Sequence, residues 1–157
     1  MELEIIEISY RPDLKDRAVE FFWKCWGNED NFNFYNDCII HSLEKDKILP
    51  KFYLALEKED IIGSYALLTN DLISRQDLFP WVACLFVTEH YRNKGIATRL
   101  LNHGVKEAKM KGFRTMYLST DLVDFYERNG WNHVCNGYNV YNKELKIYSI
   151  DIFESLE

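Results

Sequence analysis

The chain has 157 residues, of which 47% are hydrophobic and 15% aromatic, and its formal net charge is -6. This length fits one domain with a sizeable core, and the composition excludes an intrinsically disordered protein. With 25 acidic against 19 basic residues, the charge disfavours general nucleic-acid binding and is compatible with a cationic acceptor such as an amine.

The N-terminal part is predicted to form a strand and two helices. Residues 3–10 have the pattern of a strand, and Pro12 fits the first turn of a helix that runs to about Cys25. A polar turn over 27–33 precedes a second helix over 34–45. No secretory signal and no apolar run of membrane-spanning length occurs, so we expect a cytoplasmic protein without a membrane partner.

A hairpin and a central strand follow. Residues 52–56 and 61–69 predict two antiparallel strands, and Gly63 within the second indicates a bulge or close packing. A polar connection over 70–79 leads to the apolar run 81–87, which is typical of a strand buried on both faces.

The turn after this strand predicts an anion site. Residues 91–97 read Tyr-Arg-Asn-Lys-Gly-Ile-Ala and open an amphipathic helix that Gly112 ends. The first N–H groups of a helix are unpaired and carry about half a positive charge. Gly95 and Ala97 let a phosphate approach these groups, and Arg92 and Lys94 add positive charge. No dinucleotide-binding glycine motif and no P-loop is present.

The C-terminal part predicts the remaining elements. Residues 116–119 form a strand, 122–129 a short helix, and 132–140 and 145–152 two strands around the turn 142–144. The resulting order is β, α, α, β, β, β, α, β, α, β, β. We therefore expect one mixed α/β domain over residues 1–157.

Two motifs resemble a known family. The spacing Arg92-x-x-Gly95-x-Ala97 resembles the acetyl-CoA signature of the GNAT superfamily of acyl-CoA-dependent N-acyltransferases. The run from Phe125 and Tyr126 to Gly130, followed by an aromatic residue, resembles the second signature of that family. The predicted element order coincides with the GNAT arrangement over nearly the whole chain. The resemblance implies a central mixed sheet of about seven strands with flanking helices.

The resemblance also implies acetyl-CoA as the cofactor and assigns residues to it. Its pantetheine arm would lie like an extra strand between two splayed central strands and pair with the backbone of Leu85, Phe86 and Val87. Its pyrophosphate would be held by the turn and the first helical residues, namely Arg92, Asn93, Lys94, Gly95, Ile96, Ala97 and Thr98. Arg99 and Lys106 are expected to be solvated helix charges.

Tyr126 is the candidate catalytic residue, as the proton donor to the departing thiolate. The alternative is a tyrosine that only packs on an amphipathic helix. A base is less evident, because the strand 81–87 contains no carboxylate. A base acting through ordered water could be drawn from Asp71, Asp77 or Glu29.

The acceptor pocket is expected to involve the first two helices and the connection 70–77. Asp71 and Asp77 could hold an ammonium group, and Arg75 could pair with a carboxylate of the acceptor. Alternatively, these three residues pair with one another to order the loop. Tyr35 is a candidate aromatic wall, although packing is the default for such a residue.

The sequence indicates neither a metal site nor a disulfide framework. Its four cysteines and four histidines are dispersed without zinc-binding spacing, so we expect reduced thiols. The leading hypothesis is an N-acetyltransferase that acts on a small-molecule or peptide amine by direct transfer in a ternary complex. The alternatives are a non-catalytic acyl-CoA-binding or sensing module and an interaction protein without CoA affinity. Dimers are common in the GNAT family, so a homodimer is compatible with the resemblance.

Overall fold

The computed structural model describes residues 1–155. Its strands are β1 (Leu3–Glu7), β2 (Lys51–Glu57), β3 (Asp60–Leu68), β4 (Trp81–Val87), β5 (Thr115–Thr120), β6 (Asn132–Tyr138) and β7 (Glu144–Asp151). Its α-helices are α1 (Lys15–Trp26), α2 (Phe32–His41), α3 (Ile96–Met110), α4 (Phe125–Arg128) and α5 (Ile152–Ser155). The strands form a seven-stranded mixed sheet in the order β1-β2-β3-β4-β5-β7-β6, which confirms the predicted fold class.

The pairing of the strands is mostly antiparallel. β1 pairs with β2, β2 with β3, β5 with β7, and β7 with β6 in this way. β4 and β5 are parallel, and their pairing consists of Trp81 opposite Tyr117. The described chain packs as two compact units, with residues 1–67 and 84–103 in unit 1 and residues 68–83 and 104–155 in unit 2. One domain over 1–157 stays a prediction.

Unit 1 has a core rich in aromatic side chains. Helix α1 buries one face through Ala18, Val19 and Phe22. The Phe22 ring meets the Phe52 ring of β2 edge-on, with centroids 5.1 Å apart. Such edge-to-face contacts add to the hydrophobic stabilisation of the buried rings, so they fasten the helix to the strand.

Unit 2 is built around β5 and β7. The β5 strand alternates in burial, with Met116 and Leu118 inward. A separate apolar cluster joins Ile73 and Trp81 to Ile147 of β7. Because Ile73 lies in the connection between β3 and β4, this packing holds the connection in place.

The structure corrects several predicted boundaries in the N-terminal part. The first strand ends at Glu7 instead of residue 10, because residues 8–10 form a 3-10 turn that buries Ile8 and Ser9. A second 3-10 turn over 12–14 precedes α1. Helix α2 covers 32–41 instead of 34–45, and the Ser42 hydroxyl donates to Ile39 O at its end.

Other differences lie near the C-terminus. The helix predicted over 122–129 is limited to α4, because Asp124 at its start has a left-handed φ of 70°. The strand predicted to end at 140 ends at Tyr138, and β7 gives way to the unpredicted α5. β4 is the predicted strand, although Cys84, Leu85 and Phe86 are only half-buried.

Within residues 1–155, no helix is both long and apolar enough to cross a membrane. The same residues contain no cluster of histidine, cysteine or carboxylate side chains that could hold a metal ion. All four cysteines lie in this part of the chain as half-buried thiols.

Candidate functional site

The turn that leads into α3 has the backbone of an anion site. Asn93 and Gly95 have left-handed φ values of 63° and 77°. The N–H of Arg99 donates to Gly95 O at 3.1 Å and closes the first turn. The N–H groups of Ile96, Ala97 and Thr98 precede this bond, so they have no carbonyl one turn earlier to bind. They are therefore available to a ligand at the start of the helix.

Gly95 leaves open space in front of these donors. A Cβ built on Gly95 would meet no atom within 4 Å. The positive φ and the empty surroundings together mean that the turn needs glycine for its conformation and presents bare backbone outward. The space next to this backbone can therefore accommodate a phosphate group.

The two basic residues of the turn are held differently. The Nε of Arg92 donates to Val87 O at 2.9 Å, and its guanidinium lies 5.4 Å from the centre of the Phe86 ring. Arg92 thus ties the turn to the end of β4. The exposed Lys94 places its ammonium 5.5 Å from the centre of the Tyr91 ring. Lys94 thus presents a point charge at the surface, typical of a contributor to phosphate attraction.

The middle of β4 departs from strand geometry, which the sequence did not reveal. Cys84 has a φ of 55°, an uncommon value for a residue other than glycine. Its carbonyl accepts a hydrogen bond of 2.9 Å from the hydroxyl of Ser64, which is fully buried on β3. The neighbouring Gly63 lies so close to β4 that an added Cβ would be 2.8 Å from Phe86 O. The close packing predicted at Gly63 is therefore confirmed.

Tyr126 is almost enclosed. Its side chain is 9% exposed, and its ring packs near Phe125, Trp131 and Tyr148. Its hydroxyl makes no hydrogen bond to the described residues, yet no fully buried side-chain oxygen or nitrogen among them lacks a partner. The hydroxyl therefore retains the residual exposure. Burial raises the pKa of Tyr126 to about 12, so the phenol keeps its proton at neutral pH.

The helix that carries Tyr126 is anchored by its next residue. The Tyr148 hydroxyl donates to the Glu127 carboxylate, which lowers the pKa of Glu127 and raises that of Tyr148. The N–H of Trp131 also donates to Tyr126 O at 3.0 Å. A four-residue helix has little stability of its own, so these bonds fix the orientation of Tyr126.

The connection between β3 and β4 contains the acidic and basic candidates. Arg75 forms two hydrogen bonds with the Asp77 carboxylate, at 2.9 and 2.8 Å, and a third with Cys135 Sγ at 3.2 Å. The Arg75 bond holds the pKa of Asp77 below its usual range. For Arg75 and Asp77, the structure therefore has the mutual pairing that the sequence left as an alternative.

Asp71 differs from its neighbours in this connection. It is half-buried, and no ion pair to it exists within residues 1–155. Burial raises its pKa to about 7. The adjacent Asn70 side chain bonds both the N–H and the carbonyl of Ile73, each at 3.1 Å, which makes the backbone here well defined. Asp71 is thus the carboxyl of this loop that can exchange a proton near neutral pH.

An open cavity of about 610 Å³ lies against α2. It is lined by Asn33, Phe34, Asn36, Asp37 and Cys38. The half-buried Tyr35 packs its ring 5.2 Å from that of Phe34. The polar lining residues were missed from the sequence, although their spacing of three and four residues places them on one helix face.

Comparison with known proteins identifies the family. The sequence model of the acetyltransferase (GNAT) family matches residues 14–131. This chain belongs to that family. The matched residues include the α3 turn and Tyr126, and the family resemblance predicted from the two motifs is confirmed. GNAT acetyltransferases use acetyl-CoA, which is the predicted cofactor.

One curated relative and two solved structures illustrate the similarity. N-alpha-acetyltransferase 30 of Schizosaccharomyces pombe is 29% identical over 98 residues, which are 59% of this chain and 65% of that protein. The match therefore spans less than two thirds of that relative. An aminoglycoside 6'-N-acetyltransferase in complex with coenzyme A has a TM-score of 0.71 at 19% identity, covering 95% of this chain and 97% of that chain. The aminoglycoside 6'-N-acetyltransferase from Enterococcus faecium has a TM-score of 0.70 at 18% identity, covering 97% of each chain. At these identities, the two structures show a common fold.

The predicted site residues fall into both units. The cofactor residues from Leu85 to Thr98 and Tyr35 lie in unit 1, whereas Asp71, Arg75, Asp77 and Tyr126 lie in unit 2. Their roles stay predictions.

Proposed function

We propose that this chain transfers an acetyl group from acetyl-CoA to a primary amine, by direct transfer in a ternary complex. The α3 turn is the observation that carries the proposal. In a member of an acetyltransferase family, the open space at Gly95 and the unpaired N–H groups after it fit a pyrophosphate.

The residues present fit acetyl-CoA along two segments. The N–H groups of Ile96, Ala97 and Thr98 would hold the pyrophosphate, and Lys94 would add a charge. The backbone of Leu85 to Val87 would bind the pantetheine arm. β4 pairs with β5 at Trp81 and Tyr117, which lies before residues 85–87 in the strand. The backbone of residues 85–87 therefore lies beyond this pairing, which supports the assignment. When bound, acetyl-CoA supplies an acyl group activated as a thioester.

Tyr126 would supply a hydrogen bond and then a proton to the leaving sulfur. A phenol with a pKa of about 12 is a weak acid, so complete transfer to a thiolate of ordinary basicity is uphill by about 5 kcal/mol. Hydrogen bonding to the sulfur as its charge develops is therefore the main contribution that we assign to this residue.

Asp71 is the proposed proton acceptor or ammonium ligand. Of the three carboxyls suggested by the sequence, Asp77 is bound by Arg75 and has a lowered pKa. Asp71, with a pKa of about 7, matches the requirement that a base accept a proton near neutral pH. As a separate candidate within unit 1, the cavity on α2 offers a cationic group the negative charge of Asp37 and an apolar wall from Phe34.

The names of the relatives are the basis for proposing a class of acceptor for this chain. The curated relative is an N-alpha-acetyltransferase, whose name indicates an α-amine, and two solved structures are aminoglycoside acetyltransferases. The sequence match to the first favours a peptide α-amine as the acceptor of this chain. A homodimer remains part of the proposal through the family resemblance.

The test combines binding with turnover. Acetyl-CoA is titrated calorimetrically, and thiol release is measured with an unblocked peptide, an aminoglycoside and a polyamine. The test peptide contains no lysine, and the same peptide with a blocked α-amine is the control. Binding with release that requires the unblocked amine supports the proposal. Binding without release for any amine would favour an acyl-CoA sensor, and no binding would overturn both functions.

A further inference from the structure

At Cys84, the backbone N–H and C=O groups of β4 switch from one edge of the strand to the other. Tyr117 N donates to Pro80 O at 3.0 Å, so residue 80 faces β5. In a regular strand, successive residues face opposite edges, so residues 82 and 84 would face the same way as residue 80. The carbonyl of Cys84 instead binds Ser64 Oγ of β3. The alternation is therefore interrupted at Cys84.

After Cys84 the alternation resumes, but the even-numbered residues now face β3 instead of β5. Phe86 O lies against Gly63 of β3, and Thr88 N donates to Ile62 O of β3 at 2.9 Å. Leu85 and Val87 alternate with these residues. They must therefore direct their backbone groups to the edge of β4 away from β3. Val87 O accordingly accepts its hydrogen bond from Arg92. The left-handed φ of Cys84 is the local change that produces a bulge of this kind.

Ser64 holds the residue at which the phase changes. Its side chain is fully buried, and its hydroxyl donates to Cys84 O at 2.9 Å. A left-handed conformation costs a residue other than glycine about 1–2 kcal/mol, and it persists only where the surroundings stabilise it. The Ser64 hydroxyl supplies such a stabilising contact. Gly63 leaves room for the close approach of the two strands.

We propose that Ser64 is a positioning residue for acyl transfer: by holding the Cys84 bulge, it directs the Leu85 N–H to the edge where the acyl-CoA arm binds. This inference rests on the proposed function and extends it to a residue that neither family motif contains. Ser64 does not touch the reacting atoms. Its loss would leave the α3 turn intact and shift the acyl group relative to the acceptor amine.

The experiment compares substitutions that differ in the hydroxyl. Ser64→Thr and Ser64→Val have the same shape and differ in one hydroxyl, so their comparison isolates the hydrogen bond from the added volume. Ser64→Ala removes the bond without adding volume. Ser42→Ala is the matched control, because buried Ser42 also donates to a backbone carbonyl, at 2.7 Å, but outside β4.

The expected result is a selective loss of turnover. Removal of one hydrogen bond should lower kcat of Ser64→Ala by roughly tenfold, with the acetyl-CoA Kd within about twofold of wild type. Ser64→Val should be slower than Ser64→Thr by a similar factor. In the ligand-free protein, hydrogen exchange should accelerate at Cys84 and Leu85 in Ser64→Ala and stay unchanged at β5.

Several results would overturn the inference. Equal kcat values for Ser64→Thr and Ser64→Val would exclude a role for the hydroxyl, as would parallel losses of kcat and melting temperature in Ser64→Ala and Ser42→Ala. Unchanged hydrogen exchange at Leu85 in Ser64→Ala would exclude control of the bulge. Failure of the proposed function is a separate outcome, since the wild type itself would then release no thiol.

Discussion

The two ends of helix α3 have similar residues and opposite backbone chemistry. Each end has a glycine with a positive φ, 77° at Gly95 and 90° at Gly112, and an added Cβ would meet nothing within 4 Å at either. Each end also has a lysine over an aromatic ring, Lys94 over Tyr91 and Lys109 over Phe153. At the C-terminal end, Phe113 N donates to Ala108 O and Gly112 N to Lys109 O. These bonds satisfy the carbonyls of Ala108 and Lys109 within the chain itself.

The N-terminal end has no corresponding closure, because its first N–H groups point out of the helix. Glycine and lysine therefore do not by themselves make an anion site. The direction of the backbone decides which end can bind a phosphate, and residue type decides how closely the phosphate can approach.

Substitution of the two glycines should give the largest difference between the ends. Gly95→Glu should weaken acetyl-CoA binding by about 100-fold, because it places a carboxylate against the pyrophosphate and fills the open space. Gly112→Glu introduces the same side chain at a residue that also has a left-handed φ, so the backbone strain is comparable. It should nevertheless leave the acetyl-CoA Kd within about twofold of wild type. Calorimetric titration of both variants measures this difference. Equal Kd values for the two variants would place the cofactor elsewhere.

Tyr126→Phe should separate turnover from the affinity that α3 provides. We expect kcat to fall by about 30-fold, the size expected for a lost hydrogen bond to a developing charge, with an unchanged acetyl-CoA Kd. Because the pKa of Tyr126 is about 12, the phenol stays protonated and the ratio to wild type should be constant from about pH 6 to about pH 9. Steady-state kinetics across this range provide the test.

Tyr148→Phe is the control for this substitution. Its hydroxyl binds Glu127 and thereby anchors α4, so its loss should lower the melting temperature together with kcat, whereas Tyr126→Phe should lower kcat alone. If Tyr126→Phe retains the wild-type kcat, Tyr126 has no part in the mechanism.

Asp71→Asn should act on stability and leave the α3 site unaffected. The pKa of Asp71 rises from 3.8 in the unfolded chain to about 7 in the folded protein. The folded state then binds more protons between these values, so wild-type stability falls as pH rises from about 4 to about 7 and levels off above it. Relative to wild type, the free energy of unfolding of Asp71→Asn should increase by roughly 1–2 kcal/mol from about pH 5 to about pH 8.

Urea unfolding at the two pH values measures this gain. Asp77→Asn should show no such gain, since the lowered pKa of Asp77 places its titration below this range. Parallel pH profiles for wild type and Asp71→Asn would disprove the assigned titration.

Replacement of the two lysines should give the smallest effect. Lys94→Ala should raise the acetyl-CoA Kd by about threefold at low salt, and less at about 0.3 M salt, because exposed charges are screened. Lys109→Ala loses the same kind of ring contact at the other end of α3 and should not change the Kd. A salt-independent effect, or an equal effect at Lys109, would mean that Lys94 acts through folding.

Much of the fold could be predicted because its signals are local. The apolar run of β4, the stripe of α3 and the glycines at both ends of that helix each determine their element within a few residues. The early end of β1 could not be predicted, because Ile8 continues the apolar pattern and is buried in a 3-10 turn instead. Asp124 shortened α4 through a left-handed φ that its residue type permits but does not require.

The site was predictable where backbone alone defines it. The α3 turn follows from Gly95 and the helix start, whereas the bulge at Cys84 depends on the hydroxyl of Ser64, 20 residues earlier. The polar face of α2 was readable from spacing, but the cavity in front of it was not. The pairing of Arg75 with Asp77 was one of two open alternatives, and side-chain geometry decides between them.

The bulge at Cys84 also makes β4 sensitive to insertions and deletions. Deletion of this one residue would remove the extra position, shift the segment from Leu85 to the α3 turn by about 3.3 Å, and turn its backbone groups to the opposite edge. A substitution such as Cys84→Ser keeps the residue count and therefore the phase. In this strand, chain length is a stricter requirement than side-chain identity.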